Sequence, residues 1–281
     1  MTRPDFLVIG HVVKDVVPGG WRLGGTAAYA SLQAARLGLR AAVVTSGPGS
    51  MDLAALLPGV EVRRVPSRRA TSFRNCYRDG RRSQFVLAQA RSLAVTDVPD
   101  AWRTAPIVLL GPVCGEVSPE ATSLFAHSLV GVSAQGWLRR VDSQRRVTSD
   151  AWPDCPSWRE AYAVFVSEDD LAGGTRSLDR WSAVFPVVAY TQASRGACLH
   201  VDGRWRHIDA FAEREVDPTG AGDVFAAAFL ARVYETGDVA LGARFAAAAA
   251  GISVSCEGTL GIADREQIDE RMAEHPEILL R

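Results

Sequence analysis

The sequence predicts a three-layer α/β/α sandwich, with a mostly parallel central sheet between two helical layers and a small β lid. Three observations carry this. Short, continuous apolar runs recur along the chain and alternate with helix-like stretches, as in a sheet covered on both faces. The first of them, Phe6–Ile9, opens a strand-helix-strand unit. One region, residues 71–90, breaks the alternation and reads as a hairpin around Asp79-Gly80, a strong turn signal.

Each element follows in order. Phe6–Ile9 is a buried strand ending at Gly10, and Gly24-Gly25 precede an alanine-rich helix over residues 26–37, closed by Gly38. Residues 41–45 are the next strand, giving a β-α-β unit with a right-handed crossover. Further strands are expected at Ile107–Leu110, 129–132, 163–166 and Val187–Thr191. Helix-like stretches lie at 118–127 and 177–181, and alanine-rich helices at 221–235 and Val239–Ser253. An extended Pro/Gly-rich piece, residues 16–23, joins the 71–90 hairpin to form the lid. No repeat or low-complexity linker divides the chain, so residues 1–281 are expected to form one domain with the lid inserted in it.

Composition narrows the function classes. The 281 residues are 47% apolar, enough for one large core, and the formal net charge of −1 gives no global field for nucleic acid or an anionic membrane. Lys14 is the sole lysine and lies in no Gly-Lys-Ser/Thr loop, which excludes the ordinary P-loop class. Cys76, Cys114, Cys155, Cys198 and Cys256 are scattered with no C-x-x-C pair, so neither a zinc site nor a disulfide framework is expected and a reducing cytoplasm suits them. No signal-peptide pattern opens the sequence and no apolar run reaches membrane length.

The chemistry concentrates in Asp217-Pro218-Thr219-Gly220-Ala221-Gly222-Asp223, followed by an apolar helical run. Backbone N–H groups of Gly220, Ala221 and Gly222 at a helix N-terminus suit an anion such as a phosphoryl group, without a lysine. Asp223 in the first turn is either a helix cap or a base for an attacking hydroxyl.

This segment resembles the C-terminal signature of the PfkB family of carbohydrate and nucleoside kinases, the ribokinase-like fold. Gly24-Gly25-Thr26-Ala27-Ala28-Tyr29-Ala30 resembles its first glycine motif, and Gly10 with Asp15 its first strand and substrate-holding acid. The resemblance implies an ATP-dependent kinase acting on a small polyol, a sugar or a cyclitol such as inositol, with a nucleoside as the alternative acceptor. A catalytically silent binding protein is the alternative of another class.

It further implies Asp223 as catalytic base and Gly220, Ala221 and Gly222 as anion hole. Asp15, Gly24, Gly25, Tyr29 and His11 fall on the substrate side, and Thr191 and Gly196 on the nucleotide side. Asp217, Thr219, Ser253, Cys256 and Gly258 match positions around a monovalent-cation (K⁺) site. Two departures stand out. Tyr29 replaces the usual Asn, where its ring stacks on substrate, narrows the pocket or packs. Ser167-Glu168-Asp169-Asp170 replaces the family's Asn-x-x-Glu, leaving Glu168 and Asp170 to meet Mg²⁺ through water. The other histidines show no ligand spacing. Phe85-Val86-Leu87 offers an apolar strand edge through which two lids can pair in a homodimer.

Overall fold

The computed structural model describes residues 2–78, 81–171 and 176–281. Its strands and helices run, in chain order, β1 Phe6–Ile9, β2 Val13–Val17, β3 Gly20–Gly24, α1 Thr26–Arg36, β4 Ala41–Gly47, α2 Leu53–Leu56, β5 Val60–Pro66, β6 Thr71–Arg78, β7 Arg81–Ala88, β8 Ile107–Leu110, β9 Leu129–Ser133, β10 Arg139–Val141, β11 Val147–Ser149, β12 Ala163–Ser167, α3 Arg176–Ser182, β13 Val187–Thr191, β14 Ala197–Val201, β15 Arg204–Ile208, α4 Ala221–Thr236, α5 Val239–Ser253 and α6 Arg265–Glu274.

Nine strands form the central sheet in the order β15-β14-β13-β12-β9-β8-β1-β4-β5. From β5 to β13 every pair is parallel, and the hairpin β14-β15 closes one edge antiparallel. The apolar runs are continuous because both faces are covered. Along β1, Phe6 and Val8 enter one core, while Leu7 and Ile9 enter the other. The first core packs α1, α4, α5 and α6, and the second carries α3 and the tryptophan-rich loops. This is the three-layer architecture the sequence predicts.

The second sheet has four strands in the order β3-β2-β6-β7. The expected extended piece at 16–23 is a true hairpin of β2 and β3, and the turn expected at Asp79-Gly80 lies outside the described residues. A short hairpin, β10-β11, had no signal in the sequence. It lies along β7: Val86 N donates to Arg145 O at 2.8 Å, and Arg145 Nε donates to Val86 O at 2.8 Å. Part of the β7 edge, at Phe85-Val86, is therefore already bonded within the chain.

One expected helix differs. Residues 118–127 hold a 3₁₀ turn, Pro119–Phe125, rather than an α-helix. There the Thr122 hydroxyl donates to Pro119 O and Ser157 O, and such side-chain bonds compete with the α-helical ladder. Among the described residues no helix is long and apolar enough to cross a membrane.

Candidate active site

A cleft of about 500 Å³ opens at the carboxyl ends of the parallel strands, beneath the four-stranded sheet. That is where open α/β sheets bind ligands. Asp223 sits in the first turn of α4 and lines this cleft.

The loop before α4 explains its glycines. Gly220 has φ +81°, and a Cβ there would fall 2.2 Å from the Tyr29 ring. The ring of Tyr29, 1% exposed, thus packs directly under the loop and lines the cleft. Burial pushes the Tyr29 hydroxyl above its ordinary range, and Asp217, Asp223 and Asp15 add to the rise.

Burial also pushes Asp223 up from 3.8 to about 6, and the charge of Asp170 adds to that. Thr26, in the first turn of α1, and Arg139 work the other way. Thr26 Oγ1 is buried with no partner at hydrogen-bonding geometry, yet lies close enough to Asp223 to favour its charged form. A carboxyl poised near neutrality can accept a proton and release it again.

On one side of Asp223 the cleft is polar. Asp15 on β2 lies so close to Gly24 that a Cβ there would fall 2.2 Å from Asp15 Oδ2. Asn75 and Gln84 oppose each other on β6 and β7, with Gln84 Nε2 donating to Asn75 Oδ1 at 3.0 Å. Ser133, Gln135 and Arg139 complete this half. On the other side, Thr191 and Gly196 lead to an apolar slot made by Phe211 and by Ala247, Ala250, Gly251 and Val254 at the end of α5.

Other expected site residues lie elsewhere. His11 is fully buried and does not line the cleft. Its Nδ1 meets Thr71 Oγ1 at 2.7 Å, its Nε2 meets Arg91 O at 2.9 Å, and its N–H donates to Glu116. The expectation of a substrate contact is corrected: His11 ties β1 to both ends of the β6-β7 hairpin. Buried Glu116 also accepts from Val113 N and Cys114 N, at 3.0 and 2.8 Å.

The acidic turn fits magnesium only through water. Asp170 accepts from Ser167 N, Ser167 Oγ and Gln135 Nε2, and Glu168 pairs with Arg195. Among the described residues no three His, Cys, Asp or Glu side chains gather to hold a metal. Mg²⁺ typically keeps several waters and takes one or two carboxylates plus substrate phosphates, which Asp170 and its neighbours can supply.

The five positions matched to a monovalent cation fit it poorly. Asp217 already accepts from Thr219 N and Gly258 N, each at 3.0 Å, and Arg22 lies 3.9 Å away. Burial raises the Asp217 carboxyl, but these donors and Arg22 outweigh it and hold it below its ordinary value. Cys256 is exposed, and Gly261 packs against Ser253 O.

Comparison with known proteins now bears on this geometry. The pfkB family carbohydrate kinase pattern matches residues 131–265. Over those residues, just under half of its length, the chain matches the pfkB family. It is a kinase. It is 27% identical over 247 residues to a cytidine kinase of Thermococcus kodakarensis, covering 81% of this chain and 87% of that one. It is 30% identical over 253 residues to an inositol 3-kinase of Zea mays, covering 80% of this chain and 65% of the maize protein. In fold it resembles a pyrophosphate-dependent kinase in the ribokinase family solved with sulfate, with a TM-score of 0.79, 22% identity, and 94% and 99% coverage. It also resembles Arabidopsis thaliana ribokinase complexed with ribose and ATP, with a TM-score of 0.74, 20% identity, and 96% and 99% coverage.

Sequence reasoning passed over Thr26, Asn75, Gln84, Gln135 and Arg139 in this kinase. Gln135 and Arg139 follow a parallel strand at its carboxyl end, a position that marks ligand loops in such sheets. Asn75 and Gln84 share a strand face with Phe73 and Val86, but the hairpin also carries Arg74, Arg78, Arg81 and Arg82, so their polarity does not stand out in the sequence.

Proposed function

We propose that this kinase transfers the γ-phosphoryl group of ATP to a hydroxyl of a small polyol, a cyclitol of the inositol type or a sugar. The observation that carries this is that Asp223 lines one cleft together with a polar set, Asp15, Asn75 and Gln84, and an apolar set at the end of α5. Asp15, Asn75 and Gln84 suit vicinal hydroxyls, with Gly24 leaving room for Asp15 and Gly25 for Val13 beside it. The apolar slot along Ala247, Ala250 and Val254 suits a purine, with Thr191 and Gly196 at its edge; pyrophosphate alone would leave that slot unused.

The steps balance as a simple displacement. Asp223 takes the hydroxyl proton of the acceptor. That oxygen bonds to the γ-phosphorus, the bond to the bridging oxygen breaks, and ADP leaves with the electron pair. Gly220, Ala221 and Gly222 offer N–H groups to the group in transfer. Asp170 and Glu168 would hold Mg²⁺ through water, where the ion would neutralise charge on the donor phosphates. The free thiols suit a cytoplasmic setting.

A nucleoside acceptor is the second reading, favoured by the extent of the match to the cytidine kinase. Against it, the rings of the polar half, Phe73 and Tyr29, are 2% and 1% exposed, which leaves neither open for a base to stack on. A panel of inositols, sugars and nucleosides, each with ATP or with pyrophosphate, tests the reading by phosphorus NMR. Phosphate transfer to an inositol or sugar from ATP supports it. Transfer to nucleosides alone, or from pyrophosphate alone, overturns it.

A further inference from the structure

The charges of the cleft are lopsided. Seven carboxylates line it, Asp15, Asp170, Glu213 and Asp223 among them. Among the described residues Arg139 is the one cationic side chain that lines it. A polyanionic group crossing such a cleft meets repulsion from every carboxylate it passes, so the place of the single cation matters.

Arg139 stands on the acceptor side. Its Nη1 donates to Val113 O at 3.2 Å, and its guanidinium lies 6.0 Å from the Phe73 ring centre. From there its charge reaches Asp223. Its base is rigid: Trp137, two residues earlier, donates Nε1–H to Val117 O at 2.8 Å and packs edge-on against Trp158 with ring centres 4.9 Å apart. Its hairpin is bonded to β7, the strand that carries Gln84.

We propose that Arg139 receives the phosphoryl group as it arrives on the acceptor oxygen and holds the resulting phosphate monoester beside Asp223. This rests on the kinase reading above. The anion loop of α4 faces the donor, so the two positive sites bracket the phosphorus from opposite sides. As the bond to the bridging oxygen lengthens, charge moves toward the equatorial oxygens, and a planar guanidinium bonds two of them at once. A lysine would supply the charge without that fork.

The test compares wild type with Arg139→Gln and Arg139→Lys. ADP binding is measured first by calorimetry, and inorganic phosphate is then titrated into the ADP complex as a stand-in for the transferred group. ADP should bind all three alike, while phosphate affinity falls at least about 10-fold in Arg139→Gln and less in Arg139→Lys. With whichever acceptor the panel identifies, kcat should fall about 10²-fold or more in Arg139→Gln, with KM for ATP unchanged. If Arg139→Gln fails to fold, Arg139→Lys carries the same comparison. Unchanged phosphate affinity, or a higher acceptor KM at unchanged kcat, overturns the proposal. Failure of wild type to bind ADP instead sinks the ATP-donor reading; phosphate is then titrated into the protein without ADP, where equal affinity in wild type and Arg139→Gln still overturns the proposal.

Discussion

Replacing Asp223 with Asn should make the protein more stable and far less active, and the stability gain should depend on pH in one direction. The Asp223 carboxyl is raised from 3.8 to about 6 in the folded chain, first by burial and then by Asp170. Folding therefore favours its protonated form. Below about pH 4 both folded and unfolded chains hold the proton, and the site costs nothing. As pH rises through this window the unfolded chain ionises first, and above about pH 6 the folded chain carries the charge at full cost. Each pKa unit is worth about 1.4 kcal/mol, so the ceiling is about 3 kcal/mol at pH 8 and about 1 kcal/mol at pH 4.5. Asp223 lines an open cleft, so water lowers both figures, and about 1–2 kcal/mol at pH 8 is expected. Asn stays neutral throughout. Urea unfolding of both proteins at pH 4.5 and pH 8 reads the difference directly, and turnover should fall about 10²- to 10⁴-fold in the same variant. A stability gain that is equal at the two pH values, or a loss at pH 8, would refute the argument that Asp223 is held against its burial for the sake of chemistry.

Other outcomes follow from neighbouring contacts. Thr26→Val removes the hydroxyl that favours the charged form of Asp223, so the acid limb of the kcat/KM profile should move upward from near pH 6, and Thr26→Ser should restore it. Glu116→Gln places an NH₂ against the N–H groups of His11, Val113 and Cys114, and should cost about 2–4 kcal/mol, read as a lower urea midpoint. Gly220→Ala meets both a positive φ and the Tyr29 ring, so about 2 kcal/mol of stability and much of kcat should be lost. If Gly220→Ala retains wild-type turnover, the loop does not hold the phosphoryl group.

Much of this was legible in the sequence because burial writes itself into composition. Strands such as Ile107–Leu110, buried throughout, must be apolar on both faces, and the glycine turn before Asp223 is dictated by the ring beneath it. What was hidden depended on contacts between distant segments. His11 is polar and next to the first strand, and nothing local says that Thr71, Arg91 and Glu116 consume its bonds. Arg139 sits in a hairpin of three-residue strands with exposed polar neighbours, too short for any periodicity. The 3₁₀ turn at Pro119–Phe125 has the composition of a helix, and only its side-chain bonds reveal otherwise.

The pairing of β7 with the β10-β11 hairpin reaches beyond folding. The hairpin that carries Arg139 is bonded through Arg145 to Val86, on the strand that carries Gln84. A movement that lifts β7 from the cleft therefore carries the hairpin with it, so Gln84 and Arg139 open or close together.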